Sequence, residues 1–281
     1  MQKTEQYCEK KSSALKNTHT QKDAPKYFRS TSDGVLDDLW VKLSHEHERV
    51  ASLFNTQSLV YDACCGIGPF VLPALIRKKP RRVIANDLNP ESVKWLSENV
   101  KINKIKPERI EIHNMDANLF IKTKIAEDVV RLMAEESCSG EENRVEAHVV
   151  MNLPAYAVNF LPAFRGVLRK FKQEVDKVPE EKRWKWNVYC YLFAKSHVDV
   201  PDDWYEQEAR RMCDEKTKWE RSLVAKCHHV RTVSSRKEMF CVQLELPYDF
   251  LLTEPLPDDT SVEIEPEEAE EPSNKRVKTS S

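Results

Sequence analysis

Polar and apolar positions along this chain alternate between short all-apolar runs and stretches with three-to-four-residue spacing, as strands and helices in turn would require. Leu59–Ala63 reads as a buried strand, Cys64–Pro69 as a tight turn and Phe70–Arg77 as an apolar helix. A second strand, Arg82–Asn86, ends on Asp87 and is followed by another helix. Arg109–His113 is a third strand, Ile121–Glu142 a charged helix and loop, and Ala147–Met151 a fourth strand running into Asn152-Leu153-Pro154. Beyond it the pattern predicts a helix over Ala155–Lys170, a charged linker over Lys172–Arg183 and a fifth strand over Trp186–Ala194. Pro201–Cys213 reads as a helix, and Ser222–His229 with Phe240–Leu246 as an antiparallel hairpin turning at Val233–Lys237. Ahead of the first strand, Val35–Phe54 has helical spacing in Val35, Leu36, Leu39, Leu43, Val50, Leu53 and Phe54. Alternating β and α elements predict an α/β fold of doubly wound, Rossmann-like type. Its seven-stranded sheet is mostly parallel, with an antiparallel C-terminal hairpin. Residues 35–252 are expected to form this domain, 1–34 a polar, lysine-rich disordered arm and 253–281 an acidic disordered tail.

Two of the five glycines, Gly66 and Gly68, sit in the turn after the first strand. Glycine there admits positive φ and lets a ligand approach the backbone, and the helix that follows offers unpaired N–H groups to a polar ligand end. Asp87, about 20 residues on at the next strand tip, is placed to bind the hydroxyls of a ribose. A nucleoside cofactor is the natural guest. A dinucleotide fold needs a third glycine, for close contact between helix and strand. Val71 stands at that position, behind a Pro69 suited to the first helical turn. S-adenosylmethionine, a nucleoside without phosphate, fits this turn better. A βα turn that binds nothing would not need the acidic tip as well.

Further candidates lie at the other strand ends. Asp116, in Met115-Asp116-Ala117, can accept from an adenine amino group or merely cap the next helix. Asn152 offers an amide donor and a carbonyl acceptor to a planar substrate, and Pro154 stiffens its backbone. The run Leu43–Val50 is dense in titratable groups and could be a solvated helix face with internal ion pairs. His45 and His47 point apart on a helix, so no metal site is expected from them. His228, His229, Arg231, Arg236 and Lys237 gather around the hairpin as a phosphate-contacting edge or a charged loop.

Charge is uneven. The stretch Glu254–Ser281 holds nine acidic and three basic residues, so against a whole-chain charge of −2 the body is net basic, which suits a polyanionic partner. The eight Cys form no CxxC pair or disulfide-like spacing, no apolar stretch is long enough for a membrane span, and the N-terminus lacks a signal-peptide apolar core. These features predict a reducing intracellular compartment and no membrane association. Lys275-Arg276-Val277-Lys278 could serve as a short nuclear-import signal.

Together, Leu43–Val50 (LSHEHERV), Asp62–Phe70 (DACCGIGPF), Ala85–Trp95 (ANDLNPESVKW), Met115–Ala117 (MDA) and Met151–Pro154 (MNLP), with a looser Tyr189–Lys195, resemble the catalytic domain of the archaeal/eukaryotic tRNA (guanine-N1)-methyltransferases. The resemblance spans about Leu39 to Leu246. It implies a class I methyltransferase fold, S-adenosylmethionine as cofactor, tRNA as partner, a monomer, and methylation of guanosine 37, beside the anticodon. It implies a cofactor site of His47, Asp62, Gly66, Gly68, Asp87, Leu88, Asp116, Ala117 and Asn152. Glu46 maps to the family's proposed general base, and Asn152 and Pro154 would hold the guanine. Locations expected from it are nucleus, cytoplasm and mitochondrial matrix. Lys42 stands where the family usually has an arginine, keeping the charge but not the bidentate fork. Family members carry tRNA-gripping modules ahead of this domain, and some forty weakly patterned residues precede the match, so those modules are expected to be missing. The other readings are a wybutosine-pathway transferase on the same cofactor fold and a cofactor-binding module without activity.

Overall fold

The structure, a computed structural model, describes residues 45–78, 80–137 and 145–256. The N-terminal arm, the first half of the Val35–Phe54 helix with Lys42 and Leu43, the loop end at Glu142, the basic run at Lys275 and all but the start of the acidic tail lie outside these residues.

The first described element is a helix at 45–51 (α1). Seven strands follow: β1 Leu59–Asp62, β2 Arg82–Asn86, β3 Ile110–His113, β4 Glu146–Met151, β5 Lys185–Lys195, β6 Val224–Ser234 and β7 Lys237–Glu245. They form one sheet in the order β3-β2-β1-β4-β5-β7-β6. Parallel pairing runs from β3 to β5, and β7 and β6 are added antiparallel. From β1 the chain winds outward to β2 and β3, then returns to place β4 on β1's other side. The carboxyl ends of β1 and β4 therefore flank a topological switch point, where open α/β sheets take their ligands.

Strand residues alternate between two buried faces. Leu59, Tyr61, Val149, Met151, Val188 and Cys190 join one core, while Val60, Val83, Val150, Tyr189, Tyr191 and Cys241 join the other. The second core is covered by Val50, Ala51 and Phe54 from α1 and its C-terminal side, Val71 and Leu72 of α2 (Val71–Pro73), and Leu96 and Val100 of α3 (Pro90–Ile102). α3 starts where its sequence says it should: the Asn89 side chain accepts from Glu91 N–H, and Pro90 follows the cap. The first core is covered by α4 (Ala117–Phe120), α5 (Ala126–Ser137), the 157–168 segment and α6 (Asp202–Thr217).

Three sequence expectations need correction. Ala155–Lys170 is not an α-helix but 3-10 turns at Ala157–Phe164 and Arg169–Phe171. Pro162 has no N–H to donate, and the backbone just after it is strapped to the short helix Tyr248–Leu252 by Gly166 N–H to Phe250 O (3.0 Å) and Leu168 N–H to Leu251 O (2.8 Å). The linker Lys172–Arg183 contains a short helix, Lys172–Asp176. The hairpin turn is tighter than Val233–Lys237, because β6 runs to Ser234 and β7 starts at Lys237. β5, β6 and β7 thus reach past the tips of β1 to β4 and form a wall beside the crevice.

Candidate active site

Both glycines of the turn have positive φ, +53° at Gly66 and +98° at Gly68. A Cβ at Gly66 would meet nothing within 4 Å, so the space before the turn is open to a ligand. The inner side of Gly68 is packed: a Cβ there would lie 2.6 Å from Leu96 Cδ1 and 2.9 Å from Leu72 Cγ. Asp87 closes the cradle, with Oδ2 accepting from Gly66 N–H at 2.8 Å and Oδ1 from Asn89 N–H at 2.9 Å.

Two asparagines the sequence reading passed over hold the strand tips in register. Asn86 Nδ2 donates to Ala63 O (3.1 Å) and Met115 O (2.9 Å), and its Oδ1 accepts from Met115 N–H (3.1 Å). Asn114 Nδ2 donates to Asp87 O (2.7 Å) and Leu88 O (3.0 Å). Their only sequence signal was adjacency to Asp87 and nearness to Asp116. Asp116 takes the capping role, Oδ1 accepting from Asn118 N–H (2.9 Å) and Leu119 N–H (3.1 Å), with Ala117 buried behind it. Leu88 and Leu119 are half exposed despite being large and apolar.

Asp62 is fully buried. Its Oδ1 accepts from Cys64 N–H at 3.3 Å, but Oδ2 has no hydrogen-bond partner. Burial pushes the carboxyl up to about 8; the Cys64 N–H opposes the rise and Asp87 adds to it.

The titratable run on α1 is half of what its bland reading expects. Glu46 and Arg49 do pair within the helix, but Glu46 is buried, not solvated. Arg49 Nε donates to Oε2 and Nη2 to Oε1, each at 2.7 Å, and the Tyr191 hydroxyl donates to Oε1 at 2.7 Å. His228 Nε2, from β6, lies 3.4 Å from Oε2. His47, also buried, meets Phe70 edge-on at 4.6 Å, and Phe70 in turn lies 5.7 Å from the Tyr191 ring. Burial, only partly opposed by Glu46, pulls His47 down to about 4, so its imidazole is neutral. Phe70 directly follows the glycine turn, so α1 is docked beside the cradle.

Asn152 and Pro154 are half-buried in a turn closed by Tyr156 N–H and Ala157 N–H on Leu153 O, both at 2.7 Å. Asn152 directly follows Met151, the last residue of β4, which pairs with Cys190 next to Tyr191 on β5. Arg49 and Tyr191 were not singled out as site residues by the sequence, and His228 only as part of a phosphate-contacting edge or charged loop.

Much of the basic hairpin is committed within the protein. Arg236 pairs with Asp199 (3.0 Å), His229 with Glu238 (2.7 Å), and Lys237 lies over the Phe193 ring (4.4 Å). Arg231 Nε is buried with no hydrogen-bond partner. Among the described residues, no His, Cys, Asp and Glu cluster could hold a metal ion.

Residues 39–173 match the family model of the TRM5/TYW2 methyltransferase domain. Over 243 residues the chain is 76% identical to a tRNA (guanine(37)-N(1))-methyltransferase of Caenorhabditis elegans, covering 84% of this chain and 51% of that protein. A Homo sapiens protein of the same name is 32% identical over 238 residues, covering 85% of this chain and 42% of that protein. The chain thus spans about half the length, or less, of these relatives. Among solved structures, Trm5b from Pyrococcus abyssi aligns over 73% of this chain and 49% of its own, at 22% identity and a TM-score of 0.46. Over residues 39–173, just under half of its length, the chain is thus similar to the TRM5/TYW2 methyltransferase domain.

Proposed function

We propose that this chain carries the catalytic domain of an enzyme that transfers a methyl group from S-adenosylmethionine to N1 of guanosine 37 in tRNA. The observation that carries the proposal is a buried carboxylate, Glu46, held against the same sheet face as the glycine turn and the Asp87 cradle. The 76% identity to a relative of that name supports it.

The residues present fit the cofactor. The open face of Gly66 leaves room for it, and the Asp87 carboxylate, held at the turn by Gly66 N–H, is placed to meet ribose hydroxyls. The unpartnered Asp62 Oδ2 suits the ammonium of its methionine portion. Leu88 and Leu119 offer apolar surface beside Asp87 and Asp116 for a purine ring. When bound, the cofactor supplies an electrophilic methyl on a sulfonium.

Guanine N1 carries a proton and becomes nucleophilic as that proton leaves, so a carboxylate in reach assists methyl transfer. Arg49 and Tyr191 hold Glu46 in one orientation for the task. Asn152, at the tip of β4, offers an amide to the base edge, and Pro154 gives the ring a flat surface. The target guanine leaves its stack to enter the crevice. Arg231, partly exposed on β6, supplies positive potential for the RNA backbone.

Calorimetry with S-adenosylmethionine and mass spectrometry of tRNA nucleosides after incubation test the reading. Glu46→Gln should slow methyl transfer by about 10²- to 10⁴-fold while cofactor affinity stays near that of the parent. Equal loss of both would remove Glu46 from the base role, and an aminocarboxypropyl product would mark a wybutosine-pathway transferase instead.

A further inference from the structure

Glu46 sits over an ordered row of side chains. Tyr191 on β5 pairs with Cys241 on β7, and Cys241 pairs with His228 on β6. Directly opposed residues share a face of the sheet, here the face covered by α1. The row runs outward from the core, since Tyr191 and Cys241 are buried while 46% of the His228 side chain is exposed.

Three donor groups hold the Glu46 carboxylate: two from Arg49 and one from Tyr191. A base that takes a proton from each substrate must pass it on before it can act again. Arg49 is already protonated. Burial pushes the Tyr191 hydroxyl well above its ordinary range and the Cys241 thiol up to about 12, so both stay protonated. Among the described residues around Glu46, His228 combines a basic nitrogen 3.4 Å from Oε2 with access to solvent.

We propose that His228 receives from Glu46 the proton taken off guanine N1 and delivers it to water. This rests on Glu46 being the base. In the full step the N1 electron pair forms the bond to the methyl carbon, and the carbon–sulfur bond pair returns to sulfur, cancelling its charge. The N1 proton moves to Glu46, then to His228 Nε2, and the imidazolium releases it to solvent, restoring the carboxylate. Glu46 and Arg49 of α1, His229 on β6 and the neutral Cys241 and Tyr191 face His228. Burial, then Arg49, lowers its pKa, while Glu46 raises it; the result is below the ordinary histidine value, leaving a neutral acceptor at pH 7.5.

The test compares the full chain with His228→Ala, His228→Gln and Glu46→Gln in multiple-turnover tRNA methylation between about pH 5.5 and 8.5. Both His228 variants should be slowed about tenfold or more, lose the acid limb of the pH profile and keep cofactor affinity. Added imidazole should restore His228→Ala in proportion to its concentration and leave Glu46→Gln unchanged. A His228→Ala rate equal to the parent's, with Glu46→Gln inactive, overturns the relay and leaves Glu46 as base. A fully active Glu46→Gln overturns both. NMR titration of the His228 imidazole needs no turnover: Glu46→Gln should lower its midpoint by removing the neighbouring anion, and an unmoved midpoint overturns the relay.

Discussion

Asp62 has a sharper consequence than any other single residue of the cradle. Its carboxyl is buried, one oxygen lacks a partner, and its pKa stands at about 8, so at pH 7 it is mostly protonated. A cation arriving beside Oδ2 favours the charged form and expels the proton. Cofactor binding at pH 7 should therefore release approximately one proton per site, measured by calorimetry in buffers of different ionisation heat. Asp62→Asn should abolish the buffer dependence, and buffer-independent heats in the parent would place the cationic end elsewhere. Gly66, Gly68 and Asp87 were legible from sequence because a glycine pair and an acid about one βα unit on constrain each other locally. Asn86, Asn114, Arg49 and Tyr191 were not, and His228 was read only as a phosphate contact or loop residue, because what each touches depends on which strands end side by side.

At the level of elements, the glycine turn is held by α2, which follows it, and by α3, which packs against it. Leu72 N–H donates to Gly68 O at 3.0 Å to begin α2, and Asn99 Nδ2 of α3 donates to Ile67 O at 3.2 Å. Gly68→Ala would force a side chain into Leu96 and Leu72 at a positive φ of +98°. The variant should lose about 1–3 kcal/mol of stability in denaturant unfolding and weaken cofactor binding; an unchanged midpoint would mean that the two leucines move aside freely. Strand cores were readable as apolar runs, whereas their ends were not: β6 and β7 extend to a two-residue turn because cross-strand pairing, absent from any local pattern, continues through polar residues. The failed helix at Ala155–Lys170 has the same origin, since its backbone groups bond to the far end of the domain.

Across the whole molecule, burial on both sheet faces sets the pH dependence of stability. His148 on β4 is buried, with Nδ1 3.0 Å from the Tyr189 hydroxyl, and burial pulls it down to about 4, as it does His47. An unfolded histidine binds its proton near pH 6.5 and the folded one only near 4, so each contributes stability that is present above pH 6.5 and lost as pH falls toward 4. The loss approaches roughly 3 kcal/mol per histidine. Asp62 works in the opposite sense, since its folded pKa lies above the unfolded one and its contribution fades as pH rises through about 8. Single variants separate the two: urea midpoints of His148→Gln should fall less between pH 7 and 5 than the parent's, and parallel curves would assign the acid sensitivity elsewhere. By itself the sequence determined the α/β alternation, the glycine turn and the acidic strand tip, because these depend on hydrophobic period and on chemistry within one βα unit; the family resemblance came from motifs spread along the chain. Only the tertiary structure decided that Glu46 is buried beneath Arg49 and Tyr191 with His228 at its outer side. Those residues come from α1, β5 and β6, far apart along the chain, and only the antiparallel β7 between the two strands brings them into one row.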